Sequence, residues 1–257
     1  MLHPQARAAL AAAAGETPVH DPAFDIADVR EAARLEALRQ PREDVAEVRD
    51  VDADGVPCRL YRPADARPGV VVHLHGGGFV LNDVEVHDAA VRTFANRAGI
   101  AVLSVDYRRP PEHRFPAAPD DVDTVVAWLD AHAEAEGLSG PTVVHGDSAG
   151  GNLALVAALR HPGRFAATVL IYPFLDPTAS FESYRTQAHG FDPREAAWYW
   201  EQYAATPADL EHPERVGGLA LLCPATAFVR REWHPLVRVL RPEFGLLPHS
   251  LGRSRIE

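Results

Sequence analysis

Lysine is absent from this sequence, and all 25 basic residues are arginine. We interpret this bias as the codon usage of a GC-rich genome rather than as a functional choice. Cysteine is almost as scarce, since Cys58 and Cys223 are the only two. Two thiols so far apart in sequence are too few for a disulfide framework or a zinc site, and a reducing cytoplasm fits this composition.

Long apolar segments are missing as well. No apolar run reaches the roughly 18 residues that a transmembrane helix needs. The N-terminus also lacks the succession of basic head, apolar core and cleavage site that marks a secretory signal. We therefore expect neither a membrane span nor a secretory leader.

Positive charge is in deficit: 36 acidic residues outnumber 25 basic ones and give a formal net charge of −11. A surface of this sign repels nucleic acid and anionic membranes, so neither is expected as a partner. The length of 257 residues suffices for one α/β domain with a full core or for two small domains. One domain is the simpler interpretation.

What the sequence does contain is a regular alternation of strand and helix patterns. β-branched runs at Val70–Leu74, Ile100–Val105 and Thr142–His145 are typical of buried parallel strands. Helical patterns at 88–98 and 120–133 separate them. This rhythm predicts an open, mostly parallel sheet with helices on both faces.

The flanking segments extend this prediction. Residues 1–45 have the spacing of a pair of helices, and the dipeptide Asp54-Gly55 is a hairpin turn signal between two short strands. Farther along, residues 152–160 are predicted as a helix and residues 168–172 as the next strand.

Two glycine-rich motifs, each directly after an apolar run, indicate acyl-transfer chemistry. They read HGGGF at 75–79 and GDSAGG at 146–151. The pattern G-x-S-x-G after a strand makes a sharp turn that lifts a serine hydroxyl above the sheet edge, so Ser148 is the predicted nucleophile. The upstream glycines let the backbone approach a substrate carbonyl, and their N–H groups, with that of Ala149, can hold the oxyanion.

Four motifs in order resemble those of the hormone-sensitive-lipase-like branch of the α/β-hydrolases. They are HGGGFV, DYRRPPEHRFPAAPDD at Asp106–Asp121, GDSAGGNLA at Gly146–Ala154 and YPFLD at Tyr172–Asp176. The resemblance covers residues 1–210. It implies the α/β-hydrolase fold, with a mostly parallel central sheet, helices on both faces and a helical cap.

The resemblance also implies how the chain is organised and what it acts on. A single α/β-hydrolase domain would span residues 1–257, with cap helices in 1–45, the hydrolase core in 46–210 and a second cap segment at 180–205. Residues 211–257 would form an atypical tail. The substrates would be small uncharged carboxylic esters, and neither a metal nor an organic cofactor would be needed.

Individual residues take roles from the same resemblance. Gly77 and Gly78 would join Ala149 as oxyanion donors. His75, Gly76 and Asp147 would support the two motifs, with His75 orienting the glycine loop rather than transferring protons.

A catalytic serine needs a histidine base, which a carboxylate in turn holds, and in this fold both follow the serine in the chain. The family's acid lies in a segment resembling EYDPLRDEG. This chain has AFVRREWHPL at 227–236, which places His234 at the acid position, where an imidazole cannot supply the required negative charge. His249, in LPHSLGR, is the only later histidine.

Other candidates precede the acid position. His189 lies in AHGF, which mimics the family's histidine motif, and Asp176 and Asp192 are further acids after the serine. His189, His234 and His249 therefore all stay open as partners of Ser148.

The tail differs in composition from the rest of the chain. Residues 211–257 hold five Glu, seven Arg and no Asp, so their net charge is +2 in an otherwise acidic protein. We interpret this as a frameshift or truncation within residues 215–240. The last strand, the histidine loop and the last helix of the fold would then be missing.

Three functions follow from these patterns. The first is a carboxylesterase with an impaired acid and base. The second is a catalytically silent relative that binds a small hydrophobic ligand, as the gibberellin receptors that resemble this family do. The third is a defective product without a role. The patterns leave a homodimer open.

Overall fold

The computed structural model describes residues 3–179, 182–186, 193–206, 209, 237–241 and 245–246. The strands in these residues are β1 (Glu47–Ala53), β2 (Val56–Arg62), β3 (Arg67–Leu74), β4 (Ile100–Val105), β5 (Thr142–Asp147), β6 (Ala167–Ile171), β7 (Val237–Arg241) and β8 (Gly245–Leu246). They form one sheet in the order β1-β2-β4-β3-β5-β6-β7-β8. The pairings from β4 through β3, β5 and β6 to β7 are parallel, and those at the two ends are antiparallel.

Helices cover both faces of this sheet. In chain order they are α1 (Pro4–Ala13), α2 (Ile26–Ala37), α3 (Asp88–Ala98), α4 (Ala117–His132), α5 (Ala149–Arg160), α6 (Ser183–Thr186) and α7 (Pro193–Tyr203). None of the helices in the described part of the chain has the length and apolar character needed to cross a bilayer.

The central strand β3 shows why its sequence is apolar without alternation. Successive side chains of a strand point to opposite faces. Val70, Val72 and Leu74 are fully buried in the larger core, whereas Val71 packs against a second apolar cluster that contains Val91 of α3. A strand buried on both faces needs apolar residues at most positions, as the β-branched run predicted, and His73 is the buried exception in β3.

Helix α2 is fixed to the body of the protein by arginine. The Arg30 guanidinium donates to the carbonyl oxygens of Val80, at 2.8 Å, and Pro110, at 2.6 Å. One turn later, Arg34 donates to the carboxylate of Asp83, which is buried. Both contacts hold the helix against the segment that follows the HGGGF motif.

The predicted alternation of strands and helices is confirmed. The runs at 70–74, 100–105 and 142–145 lie in β3, β4 and β5, with β3 starting at Arg67 and β5 continuing to Asp147. The hairpin at Asp54-Gly55 joins β1 to β2, where both residues have positive φ. The pair of helices predicted in the first 45 residues corresponds to α1 and α2.

Two strands follow β6 at the far end of the sheet, where the last strand was expected to be missing. Strand β7 adds to β6 in parallel register, with Thr168 opposite Val237. Strand β8 has two residues and pairs antiparallel with β7, so within the described residues no eighth parallel strand follows. The last helix of the fold, also expected to be missing, would fall outside the described residues.

We predict that Leu103→Ala destabilises the protein by about 2–5 kcal/mol, because it opens a cavity in the middle of β4. Leu103 is 0% exposed and pairs with Leu60 on one side and Val72 on the other. The measurement is urea unfolding followed by circular dichroism. Leu35→Ala is the matched control, because Leu35 is 46% exposed on α2. Equal losses in both variants would contradict the burial of β4.

Candidate active site

Ser148 occupies a strained turn between β5 and α5. Its φ of 51° and ψ of −119° are rare for a residue with a side chain. The glycines on either side make the turn feasible. A Cβ at Gly146 would overlap the carbonyl oxygen of Gly150, and a Cβ at Gly150 would overlap that of Leu74. The G-x-S-x-G pattern therefore reflects the space available at this turn.

The Ser148 backbone is held by hydrogen bonds on both sides. Its N–H donates to the carbonyl of Ile171 at 2.9 Å, and its carbonyl accepts the N–H of Phe174 at 2.9 Å. The side chain is half-buried and does not cap α5, although Ser148 stands at the helix N-cap. The hydroxyl therefore remains available at the N-terminus of α5, whose dipole favours negative charge.

The HGGGF loop lies beside this turn because β3 and β5 are neighbours, with Leu74 opposite Gly146. A direct bond joins the two motifs, since the Gly76 N–H donates to Oδ1 of Asp147 at 3.2 Å. Gly77 and Gly78 follow with φ of 121° and 60°, values that favour glycine. The structure thus brings together the predicted nucleophile and the predicted oxyanion loop.

Space around the loop also requires glycine. A Cβ on Gly77 would lie 2.7 Å from the backbone nitrogen of Asn82, and one on Gly78 would overlap the ring of Tyr199. Burial raises the pKa of Tyr199 to about 12, so its hydroxyl is protonated at neutral pH. Helix α7 therefore forms a wall close to the predicted oxyanion donors.

His75 is buried inside the motif rather than exposed to substrate. Its ring stacks on Tyr107 at a centroid distance of 4.2 Å, and Nδ1 donates to the carbonyl of Gly76 at 2.9 Å. Burial lowers the pKa of His75 to about 3. His75 is thus a neutral imidazole bonded to the loop, and its orienting role stays a prediction.

An aromatic cluster fills the space behind the loop. Phe79 stacks on Tyr203 at 3.9 Å, and Trp200 lies 5.3 Å from Phe79 and 4.9 Å from Phe174. Trp200 and Tyr203 come from α7 and are almost fully buried. The glycine loop is therefore supported by a rigid apolar layer.

The acid and base candidates are not brought to Ser148 within the described residues. His189, His234, His249 and Asp192 lie outside those residues. Asp176 is buried, and its Oδ1 accepts two hydrogen bonds from Thr178, one from the N–H at 2.9 Å and one from the side-chain hydroxyl at 2.7 Å. In the part of the chain that the structure describes, no imidazole is hydrogen-bonded to the Ser148 hydroxyl.

Sequence reasoning missed a group of polar side chains beneath the loop, which we call the histidine cluster: His73, His87, His145 and Asp147. Nδ1 of His73 lies 2.8 Å from Nδ1 of His145, and Nδ1 of His87 lies 3.8 Å from Oδ1 of Asp147. Burial lowers the pKa of His145 to about 4 and that of His73 well below its usual value.

A sequence signal for this cluster does exist. The segments VHLHGGG and VVHGDSAGG each carry a polar residue two positions before the motif's own His75 or Asp147. Side chains two apart share one face of a strand. The cluster forms because His73 in β3 and His145 in β5 lie opposite each other. Neither segment on its own predicts this register.

Comparisons with known proteins agree with this geometry. A family profile described as the α/β hydrolase fold matches residues 71–238. An ethyl acetate hydrolase of Pseudomonas putida is 36% identical over 174 residues, which cover 63% of this chain and 55% of that protein. A carboxylic ester hydrolase of Mycobacterium tuberculosis is 38% identical over 189 residues, which cover 66% of this chain and 50% of that hydrolase. The chain thus spans about half the length of these sequence relatives.

Solved structures give the same result. A hyperthermophilic esterase from the archaeon Pyrobaculum calidifontis has a TM-score of 0.72 and 35% identity, covering 84% of this chain and 74% of that one. An esterase from the bacterial hormone-sensitive lipase family has a TM-score of 0.69 and 29% identity, covering 83% of this chain and 74% of that one. The sheet order, the strained serine turn and these likenesses together show that the chain belongs to the α/β-hydrolase family, in its hormone-sensitive-lipase-like branch.

Proposed function

We propose that this protein hydrolyses small uncharged carboxylic esters through an acyl-enzyme formed on Ser148. The observation that carries the proposal is the strained turn that presents the Ser148 hydroxyl beside the bonded pair of motifs. The relatives named for ester hydrolysis support it. Their names do not favour the alternative of a silent ligand-binding protein.

The reaction has two halves. The Ser148 oxygen attacks the ester carbonyl, its proton passes to a base, and the N–H groups of Gly77, Gly78 and Ala149 stabilise the oxyanion. When the tetrahedral intermediate collapses, the alcohol leaves with a proton from that base. Water then attacks the acyl-enzyme, and Ser148 recovers its proton as the acid is released.

The positive end of α5 assists the first step. Ala149 is the first residue of this helix, and its N–H is one of the groups without an intrahelical partner. Such N–H groups and the helix dipole together favour an anion at this end.

The base is proposed to be one of three histidines that follow the serine: His189, His234 or His249. The buried imidazoles of the described residues are engaged elsewhere, as His75 bonds to Gly76 and His145 faces His73.

The scarcity of cysteine favours a cytoplasmic location, which we also propose. A homodimer stays a prediction that light scattering would test.

Replacing the nucleophile is the direct test. We predict that Ser148→Ala lowers kcat for a short-chain activated ester by about 10⁴-fold or more, down to the background rate. The assay is release of the chromogenic alcohol under saturating ester. Ser139→Ala is the control, because Ser139 is exposed and lies before β5. Equal rates in wild type and Ser148→Ala would remove Ser148 from the chemistry.

A second prediction concerns the oxyanion loop. Gly77→Ala should lower kcat by about 10²–10³-fold, because its Cβ displaces the loop and with it one oxyanion donor. Gly55→Ala is the matched control, since Gly55 also has positive φ, 92°, but lies in an open turn. Both variants carry backbone strain, so only the first should lose activity. Comparable losses would show that general destabilisation, not the loop, sets the rate.

The pH dependence of kcat/KM tests the base. A base acts when deprotonated, so activity should rise with pH and level off above the ordinary histidine pKa, about 6.5. His75, with a pKa of about 3, and His145, with a pKa of about 4, are already neutral there and cannot produce this rise.

Three variants then assign the rise to a residue. Among His189→Gln, His234→Gln and His249→Gln, the variant that removes the base should lose both the rise and most of the rate. His132→Gln is the control, because His132 is an exposed residue at the end of α4. An unchanged profile in all three variants would refute the proposal that one of these histidines is the base.

A further inference from the structure

The histidine cluster lies outside the proposed proton path and has its own geometry. One ring nitrogen of His73, one of His87 and one carboxylate oxygen of Asp147 all lie within 4.8 Å of one another. The three residues come from separate places in the sequence: β3, the residue before α3, and the end of β5. The fold therefore converges two imidazoles and a carboxylate on one point.

His73 supplies a second, independent observation. Its side chain is completely buried, and among the described residues its Nε2 has no hydrogen-bond partner. Buried polar atoms in native proteins nearly always have a partner, so an orphaned ring nitrogen requires an explanation. Nδ1 of His73 already faces His145, so Nε2 is the ring nitrogen still without a partner, and a cation shared with His87 and Asp147 would supply one.

We propose that His73, His87 and Asp147 bind one divalent transition-metal ion, for which Zn²⁺ is the best match. Zn²⁺ takes imidazole nitrogen and carboxylate oxygen at bond lengths of about 2.0–2.2 Å and accepts water in a remaining position. Hard cations such as Mg²⁺ prefer oxygen ligands and are disfavoured by a site with two imidazoles.

Binding such an ion requires the three ligand atoms to move closer together. Nδ1 of His87 and Oδ1 of Asp147 are 3.8 Å apart. Two ligand atoms of a tetrahedral zinc ion lie about 3.3 Å apart at ordinary bond lengths, so His87 and Asp147 need to approach by about 0.5 Å. The three ligand atoms lie within 4.8 Å of one another, so the approach to His73 is up to about 1.5 Å. His87 and Asp147 both stand at element ends, where side-chain rotation can supply that movement.

His145 completes the arrangement as a positioning residue. Its Nδ1 lies 2.8 Å from Nδ1 of His73. If His73 binds metal through Nε2, its Nδ1 carries the proton and donates to His145. Metal-bound histidines almost always donate their second N–H in this way, which fixes the tautomer and the ring orientation.

The surroundings allow an ion to enter but shield the site. The side chains of His87 and Asp147 are 14% and 17% exposed, which leaves a path from solvent. The ring of Phe94 packs edge-on against His145 at 5.3 Å and against His73 at 6.0 Å. Asp147 also holds Gly76, so the ion would tie β3, β5 and α3 together directly beneath the glycine loop.

The resemblance implied that the protein needs no metal. The proposed ion adds one, but ester cleavage does not depend on it. The ion has a structural role in the proposal, because Ser148 and the oxyanion donors are not among its ligands. Failure of the esterase proposal would consequently leave the metal site untouched.

The test is metal binding by the whole chain after dialysis against a chelator. Isothermal titration with ZnCl₂ should give one saturable site, and Tm should rise by roughly 5–10 °C when free Zn²⁺ is about 100 times Kd. MgCl₂ at the same concentration should leave Tm unchanged. Absence of saturable Zn²⁺ binding would overturn the proposal and identify the cluster as an internal hydrogen-bonded group only.

Variants locate the ion among the 13 histidines of the chain. His73→Leu and His87→Gln should each weaken Zn²⁺ binding at least 100-fold, and His145→Leu should weaken it about 10–100-fold. His161→Gln is the control, because His161 bonds Asp123 on α4, is not part of the cluster and should keep wild-type affinity. If His73→Leu fails to fold, His87→Gln decides alone. Wild-type affinity in His87→Gln would place the ion elsewhere and refute the site.

Discussion

The structure of the site depends on one strained residue. A non-glycine residue in a sparsely populated backbone conformation such as that of Ser148 costs about 1–3 kcal/mol and persists only where its surroundings hold it. Here the N–H of Ser148 is bonded to Ile171 in β6, and its carbonyl to the N–H of Phe174. The strain places a hydroxyl at the head of α5 instead of inside the sheet. The parallel sheet and its apolar core supply the rigidity that keeps it there.

A second constraint is the register between β3 and β5. Because these strands are neighbours, the loop after one and the turn after the other meet at the same sheet edge. Asp147 fixes that meeting, since its carboxylate accepts the Gly76 N–H at 3.2 Å and the Tyr172 hydroxyl at 3.4 Å. A residue without a chemical step of its own thus sets the distance between nucleophile and oxyanion donors. Its side chain also reaches the histidine cluster, so one carboxylate serves both places.

Sequence predicted those parts of the molecule whose causes are local. The strands β3, β4 and β5 follow from β-branched runs, and the turn at Ser148 follows from glycines whose Cβ atoms would overlap backbone. The histidine cluster was not predicted, because it depends on which strands become neighbours. The docking of α2 was not predicted either, since the helical pattern is local but the bonds from Arg30 to Val80 and Pro110 join distant segments. The choice among three histidines as base is non-local for the same reason.

The Arg34 contact of α2 connects this helix to the histidine cluster through Asp83. Burial acts to raise the pKa of this carboxyl, but the N–H of Val86 and the Arg34 guanidinium outweigh it and lower the pKa. The ionised Asp83 bonds the N–H groups of Glu85 and Val86, at 3.0 Å each, and so shapes the turn that delivers His87 to α3. Helix α2 and His87 are therefore joined through one hydrogen-bonded segment. A movement of α2 that broke the Arg34 contact would remove one of the bonds that hold Asp83, so the position of α2 and the geometry of the proposed metal site are physically coupled.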